Sequence, residues 1–237
     1  MKALILAAGF GSRLGNLTSA TPKALVPVGG RAILDHSIRK LLKAEVTDIL
    51  INTHYLSQQV EDFLSRQPYR NLVTTVHEDE LLGTAGTVSG NWDWFNNEDF
   101  LVMHGDNYFE ADLDTLVAKH ANRYPQTDMT MATFTAPNPA NCGTADVDAN
   151  DVVVDFYEKD PSSHSLRANA AIYIFSPNLY EIFRSLSREE NDISRHVVPR
   201  LLGRIQAHHL QGDFFDIGTA EGLQAASQSH LTHRENL

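Results

Sequence analysis

Short apolar runs alternating with segments of helical period constrain this chain more than any other feature. KALILAA (2–8), DILIN (48–52), LVTTV (72–76) and FLVMHGD (100–106) each have the length of a buried strand. Between the first three lie two segments of helical period. One is 31–45, with Ile33, Leu34, Ile38, Leu41 and Leu42 on one face; the other is LSQQVEDFLSR, 56–66. A third helix is expected at 113–123. Strands joined through helices form right-handed βαβ units and a parallel sheet. Further along, MTMATF (129–134), VVVDFYE (152–158) and AAIYIF (170–175) follow one another with few helical residues between them. That spacing predicts a mixed or antiparallel portion. Helices return at 177–186, with Pro177 in the first turn, at 193–203, kinked or broken near Pro199, and at 220–228. The expected fold class is α/β, a Rossmann-like α/β/α sandwich on a mostly parallel mixed sheet.

A chain of 237 residues can bury a core without staples, and one domain spanning 1–237 is the simplest organisation. Its final residues, THRENL, read as a frayed end. Cys142 is the single cysteine, so no internal disulfide forms and a reducing, cytoplasmic setting is expected. The six-residue apolar run after Lys2 is too short for a signal-peptide core, and nothing approaches the roughly 20 apolar residues of a membrane span. A formal net charge of −11 argues against nucleic acid as a partner. It leaves room for a small anion held by a few local cations.

The loop after the first strand is the first place to look, because ligands of open α/β sheets sit beyond the strands' carboxyl ends. Here it reads LAAGFGSRLG. Gly9, Gly11 and Gly15 miss the dinucleotide spacing, and no Gly-Lys-Ser/Thr follows to make a P-loop. Small residues at Ala7, Ala8, Gly9 and Gly11 let backbone N–H groups approach a ligand. Arg13 adds a permanently charged donor fork suited to phosphate. Taken alone, the stretch reads equally well as a tight turn with a surface arginine. Ten residues on, TPKALVPVGG (21–30) holds Lys23 between prolines that stiffen the chain; by itself Lys23 is an ordinary solvated lysine.

Together, LAAGFGSRL and TPKALVPVGGRAIL resemble the N-terminal signature of the sugar-1-phosphate nucleotidyltransferases, also called sugar-nucleotide pyrophosphorylases. The resemblance continues in order through LGTAGT (82–87), HGDN (104–107), EKD (158–160), ANA (168–170) and FDIGTAEG (215–222), nearly the whole chain. It implies a compact single domain of the nucleotide-diphospho-sugar transferase type, with a nucleotide-binding half at about 1–125 and a sugar-phosphate half at about 126–230. The reaction implied is attack of a sugar 1-phosphate oxygen on the α-phosphorus of a nucleoside triphosphate, with pyrophosphate leaving. Such a transfer needs positioning and charge neutralisation more than a protein nucleophile.

The resemblance assigns roles residue by residue. Leu6, Ala7, Ala8, Gly9, Gly11 and Ser12 would line the nucleotide. Arg13 would steady the triphosphate and the leaving pyrophosphate, and Lys23 would bind phosphate near the α-phosphorus. Asp106, with a turn cap as its plain alternative, and Asp216, with a helix N-cap as its own, would hold Mg²⁺, or Mn²⁺. Arg13, Lys23 and Asp106 would form the catalytic set. Gly83, Thr84 and Ala85 would face the base; Thr84 otherwise reads as a helix cap. On the acceptor side, Lys159 would pair with the sugar phosphate and Glu158 would take hydrogen bonds from sugar hydroxyls. Asn107 and Asn169 would bind substrate, and Gly143 would admit the sugar to the backbone. Carboxylate ligation gives no reason to invoke zinc. Adjacent His208 and His209 should point to opposite faces of a strand, and His230 and His233 lie near the end.

Two departures fall on the acceptor side. Ala171 stands where the family often has glycine after ANA, and NCGTADVD replaces the frequent Tyr-Gly-Val-Val pattern. No hexapeptide repeat follows, a shape that resembles compact guanylyl- or uridylyltransferases. Two other readings remain: a cytidylyltransferase for a non-sugar phosphate such as phosphocholine, which LGTAGT and EKD disfavour, and a silent regulatory subunit that binds sugar nucleotides. Such subunits tend to lose the basic residues and metal aspartates that are all present here.

Overall fold

The computed structural model describes residues 1–235; Asn236 and Leu237, the end of THRENL, lie outside the described residues, as does the side chain of His233. In chain order the elements are β1 (Lys2–Leu6), β2 (Pro27–Val28), β3 (Arg31–Ala32), α1 (Ile33–Lys43), β4 (Asp48–Thr53), α2 (Ser57–Ser65), β5 (Val73–His77), α3 (Gly83–Gly90), β6 (Phe100–His104) and β7 (Asn107–Phe109). There follow α4 (Asp114–Ala121), β8 (Met129–Thr135), β9 (Gly143–Val147), β10 (Val153–Glu158), β11 (Arg167–Phe175), α5 (Tyr180–Arg184), β12 (Ile205–His209), β13 (Phe214–Asp216) and α6 (Ala220–Glu235).

The described residues divide into two compact units, each assembled from segments separate in sequence. One comprises residues 3–81, 104–111 and 212–235, the other residues 1–2, 82–103 and 112–211. In the first, the strand order is β1-β4-β5, with β4 and β5 parallel from Ile49↔Val73 to Thr53↔His77. This is the βαβ arrangement expected from the apolar runs. Ala3, Leu4 and Ile5 of β1 are fully buried, as are Ile33, Leu34, Ile38 and Leu41 of α1. Two short antiparallel ribbons, β2–β3 and β7–β13, complete it. In the second unit the order is β10-β9-β11-β6, and β8 also pairs with β11. Strand β11 runs antiparallel to β6, β8 and β9, while β12 runs parallel to β8. The antiparallel portion thus falls where helices thin out in the sequence.

The segment 193–203 breaks near Pro199 as expected, into a wide turn (Ile193–Val197) and a tight one (Val198–Leu201), because Pro199 supplies no N–H to continue a ladder. Two local expectations change. The helix expected at 177–186 is a tight turn (Pro177–Leu179) leading into the short α5. The last helix runs on from 228 to Glu235. His208 and His209 do face apart, toward Thr115 Oγ1 at 3.0 Å and Thr135 Oγ1 at 3.5 Å.

Candidate active site

In the first unit, four segments distant in sequence share one small core. Leu14, Val26, Val28, Ile33, Tyr108, Ile217 and Ala226 pack together, with Phe215 and Leu223 against them. The neighbours of these residues are the candidate site: Arg13 precedes Leu14, Asn107 precedes Tyr108, and Asp216 precedes Ile217. Burying Leu14 and Ile217 leaves their neighbours Arg13 and Asp216 exposed, whereas Asn107 is itself buried beside Tyr108. Truncating a fully buried isoleucine such as Ile217 costs about 2–5 kcal/mol, so the register is firmly held.

The charged groups converge on Gly218. A Cβ there would lie 2.6 Å from Arg13 Nη2, 2.7 Å from Asp216 Oδ1 and 2.7 Å from Lys23 Nζ. Lys23 Nζ donates to Asp106 Oδ2 in a very short ion pair, and Lys23 is only 8% exposed. Arg13 Nη1 lies 3.4 Å from Asp216 Oδ2, and both side chains are well exposed. The two aspartate segments are joined directly: β7 and β13 pair Asn107 with Asp216, and Ile217 N–H donates to Asp106 O at 3.1 Å. Burial alone would raise the Asp106 pKa. The Lys23 ammonium, helped by His104 and Arg13, more than reverses that and holds the carboxyl below the usual range.

Glycines make this approach possible. Gly11 sits at φ +68°, and a Cβ on it would press Thr18 Cγ2 at 2.9 Å and Lys23 Cβ at 3.0 Å. Gly105 donates to Leu6 O at 2.9 Å, packing HGDN against the end of β1. Gly222 lets α6 close on the Asp216 carbonyl. Asp216 is not the cap of α6. Its Oδ1 accepts from Gly218 N–H at 2.7 Å, while Thr219 Oγ1 accepts from Gly222 N–H at 3.0 Å. One loop expectation is corrected: the Ala7 N–H turns into the protein, donating to Asn52 Oδ1 at 2.7 Å. Gly9 has open space around it, and Phe10 beside it is half exposed.

The second unit gathers the remaining residues into networks. Gly143 faces Glu158 across β9–β10. A Cβ on Gly143 would lie 2.6 Å from Glu158 Oε2 and 2.6 Å from Phe156, so the glycine makes room for that carboxylate. Burial raises the Glu158 pKa; Lys159 and Arg195 oppose and Asp192 reinforces it, and the net shift is upward. Lys159 is exposed and takes φ +54°. Asn169 uses its whole amide internally: Nδ2 donates to Tyr173 Oη at 2.7 Å and to Ser194 Oγ at 3.0 Å, and Oδ1 accepts from Ala171 N–H at 2.9 Å. The expected amide hydrogens for a sugar ring are therefore engaged. Ala171 itself lies at φ +51°, within the register shift of β11 on β8.

The LGTAGT segment is likewise docked. Ala85 is fully buried and its N–H donates to Asn191 O at 2.8 Å, so it offers no N–H to a base. Thr84 Oγ1 does not cap α3; it accepts from Ile193 N–H at 2.8 Å. Gly83, at φ +75°, sits where a Cβ would lie 2.5 Å from Asn191 O. Asp192, Ser194 and Arg195, which surround Glu158 and Asn169, carry no sequence signal of their own.

Arg13, Lys23, Asp106 and Asp216 bring fixed positive charge and oxygen ligands together beside a glycine cradle. That combination suits a polyphosphate with a hard divalent cation. Residues 2–233 match the nucleotidyl transferase family, and the chain belongs to it. Mannose-1-phosphate guanyltransferase beta-A of Xenopus laevis is 28% identical over 97% of this chain and 67% of its own length. The first relatives are longer proteins, of which the chain spans 61–67%. A Bacillus anthracis structure described as a glucose-1-phosphate thymidylyltransferase in complex with a sucrose superposes with a TM-score of 0.86 at 27% identity, covering 97% of this chain and 94% of that one. HddC from Yersinia pseudotuberculosis, complexed with GMP-PN, shares the fold with a TM-score of 0.79 at 23% identity, over 97% and 99% of the two chains. The mixed-sheet α/β fold is that of the nucleotide-diphospho-sugar transferases. Among the described residues no helix is long and apolar enough to cross a membrane.

Proposed function

We propose that this chain transfers a nucleotidyl group from a nucleoside triphosphate to a sugar 1-phosphate, releasing pyrophosphate. The observation that carries the reading is the convergence of Arg13, Lys23 and Asp216 on the Cβ-free face of Gly218, with Asp106 on Lys23. Arg13 and Lys23 bind the triphosphate and stabilise charge on the departing pyrophosphate. Lys159 pairs with the acceptor phosphate, and Glu158 accepts hydrogen bonds from sugar hydroxyls. Positioning for in-line attack at the α-phosphorus then does most of the chemistry.

Asp106 and Asp216 are the residues that would hold Mg²⁺ or Mn²⁺. Among the described residues no group of three or more His, Cys, Asp or Glu side chains is placed to bind a metal ion. Two carboxylates nevertheless fit a magnesium ion that completes its shell with phosphate oxygens and water. Each aspartate is now paired with a basic side chain. A cation–triphosphate complex replaces those pairings in kind: each carboxylate keeps a positive partner, and each basic group gains a negative one. When bound, the cation would neutralise charge between the nucleotide and acceptor phosphates.

The base is proposed to be guanine or uracil, and the setting cytoplasmic. The experiment is a matrix of four nucleoside triphosphates against a panel of sugar 1-phosphates, with mannose 1-phosphate and glucose 1-phosphate included. Phosphocholine serves as a non-sugar acceptor, and pyrophosphate release is followed with Mg²⁺, with Mn²⁺ and with chelator. Release with a sugar phosphate that chelator abolishes is the expected result. Release with phosphocholine alone, or sugar-nucleotide binding with no release from any pair, would overturn it.

A further inference from the structure

We infer that Asn52, at the end of β4, is a positioning residue for the glycine-rich loop that follows β1, acting through the backbone of Ala7. The inference rests on the reading that this loop cradles the nucleotide's phosphates.

β1 ends at Leu6, and Ala7 is the first residue of the turn. Its N–H is held at 2.7 Å by Asn52 Oδ1. The other end of the same amide is held too: Asn52 Nδ2 donates to Glu78 Oε1 at 2.9 Å. Glu78 is in turn fixed by backbone, its N–H on Thr53 O at 2.9 Å and its carbonyl on His54 Nδ1 at 2.7 Å. The chain of support therefore runs from the end of β5, through the end of β4, to the residue that starts the loop. Strands β1, β4 and β5 are consecutive neighbours.

Asn52 is 3% exposed and Glu78 is 5% exposed. Burying an amide and a carboxyl side by side brings no advantage over an apolar pair of the same volume. What the polar pair adds is direction. The amide oxygen accepts from the Ala7 N–H, and the amide nitrogen donates to Glu78 Oε1. Only one orientation satisfies both, and that orientation fixes the Ala7 peptide plane. Ala8 and Gly9 follow directly, and the loop leads to Gly11 and Arg13. An apolar residue at 52 would leave the half-buried Ala7 N–H without this acceptor and remove this constraint on its peptide plane.

The test reverses the polarity of the pair. Asn52→Leu removes the acceptor. Asn52→Asp keeps an acceptor for Ala7 but sets two carboxyl groups against each other. Asn52→Asp combined with Glu78→Gln restores the pattern with one hydrogen bond turned round, at the same net charge. The readouts are the Kd of a non-hydrolysable nucleoside triphosphate by calorimetry, the KM of the sugar 1-phosphate, and the melting temperature. Losing a buried hydrogen bond of this kind corresponds to about a tenfold change in affinity. The expected result is nucleotide affinity weakened about tenfold or more in both single variants. The sugar-phosphate KM should stay within about twofold, and the double variant should return to within about threefold of the parent. A purely structural role would lower the melting temperature and leave the affinity of the folded fraction unchanged, and that result overturns the inference. So does a double variant that regains the parent's melting temperature without its nucleotide affinity. A parent protein that binds no nucleoside triphosphate would overturn the phosphate-loop reading instead.

Discussion

The proposed phosphate cradle of the first unit and the proposed acceptor-side residues of the second are built on opposite plans. In the cradle, charged side chains meet one another at their tips, Lys23 on Asp106 and Arg13 on Asp216, with Arg13, Lys23 and Asp216 in the space that Gly218 keeps open. Their neighbours in sequence are buried in a single apolar cluster. In the second unit, neutral polar groups are satisfied by one another, as with Asn169, Tyr173 and Ser194, or Thr84 with Ile193. The difference follows from what each would bind. A polyphosphate needs strong, replaceable counter-charges, whereas hydroxyl groups are read by shape and by a few fixed acceptors.

The largest expected effect lies in the cradle. Asp106→Asn should lower kcat about 10²–10³-fold, by analogy with removal of a preorganised charge stabiliser, with the melting temperature little changed. Pyrophosphate release under saturating substrates measures it. Near-normal turnover would remove Asp106 from the reaction and leave its Lys23 pair as a purely structural contact.

The same substitution in both regions tests the contrast directly. In Gly218→Ala and Gly143→Ala alike, the new methyl carbon would meet a charged side-chain atom at 2.6 Å, Arg13 Nη2 in one and Glu158 Oε2 in the other. Gly218→Ala should cost about 10²-fold in kcat, because three charged groups must shift by an ångström or so. Gly143→Ala should raise the sugar-phosphate KM about tenfold and leave the nucleotide KM alone, as one displaced hydrogen-bond acceptor warrants. Steady-state kinetics with each substrate varied in turn separates the two. Parallel effects on both substrates would mean that the regions do not divide the work.

Ionisation separates them as well. The Asp106 carboxyl is held below the usual range, so it stays charged through mildly acidic pH. Glu158 is shifted the other way, so its carboxylate is lost at a higher pH than that of an ordinary glutamate. As pH falls, kcat/KM for the sugar phosphate should therefore drop before kcat/KM for the nucleotide. The sugar phosphate has its own ionisation near about 6, common to parent and variant. The ratio of parent to Glu158→Gln therefore isolates the protein group, and a pH-independent ratio would clear Glu158 of the role.

How much could be read from the residues differs between the regions for the same reason. LAAGFGSRLG, TPKAL and FDIGT each carry a charge or a carboxylate beside a buried apolar neighbour, and HGDN carries its carboxylate two residues before buried Tyr108, so function and packing leave a mark in one short stretch. The apolar runs likewise announced β1, β4, β5, β6 and β8 to within two residues. What was illegible depends on pairs far apart in sequence. Nothing in INTHYL announces that Asn52 reaches back to Ala7 and forward to Glu78. Nothing in LGTAGT announces that Asn191 and Ile193 take up its polar groups. β7 and β13 are three-residue ribbons that exist only because they pair with each other, and β9, GTADV, has no apolar run. The last helix outran its expected end because SHLTHRE is polar and shows no apolar stripe beyond Ala226.

The smallest effect sharpens the contrast most finely. Ala171 occupies a left-handed conformation, φ +51°, in which an L side chain costs about 1 kcal/mol and glycine costs nothing. Asn169 Oδ1 accepts from its N–H and so holds the strained residue in place. Ala171→Gly relieves the backbone strain but adds freedom to the unfolded chain, which offsets part of the gain. The net expectation is a stabilisation of about 0.5 kcal/mol, or roughly a 1–2 °C rise in melting temperature for a chain of this size. The sugar-phosphate KM should stay within about twofold, because the Asn169–Tyr173–Ser194 network fixes the bulge independently of the side chain at 171. A lower melting temperature would show that the Ala171 methyl group packs to advantage. A changed KM with unchanged stability would make that methyl group part of the acceptor surface, at a position where the family often has none.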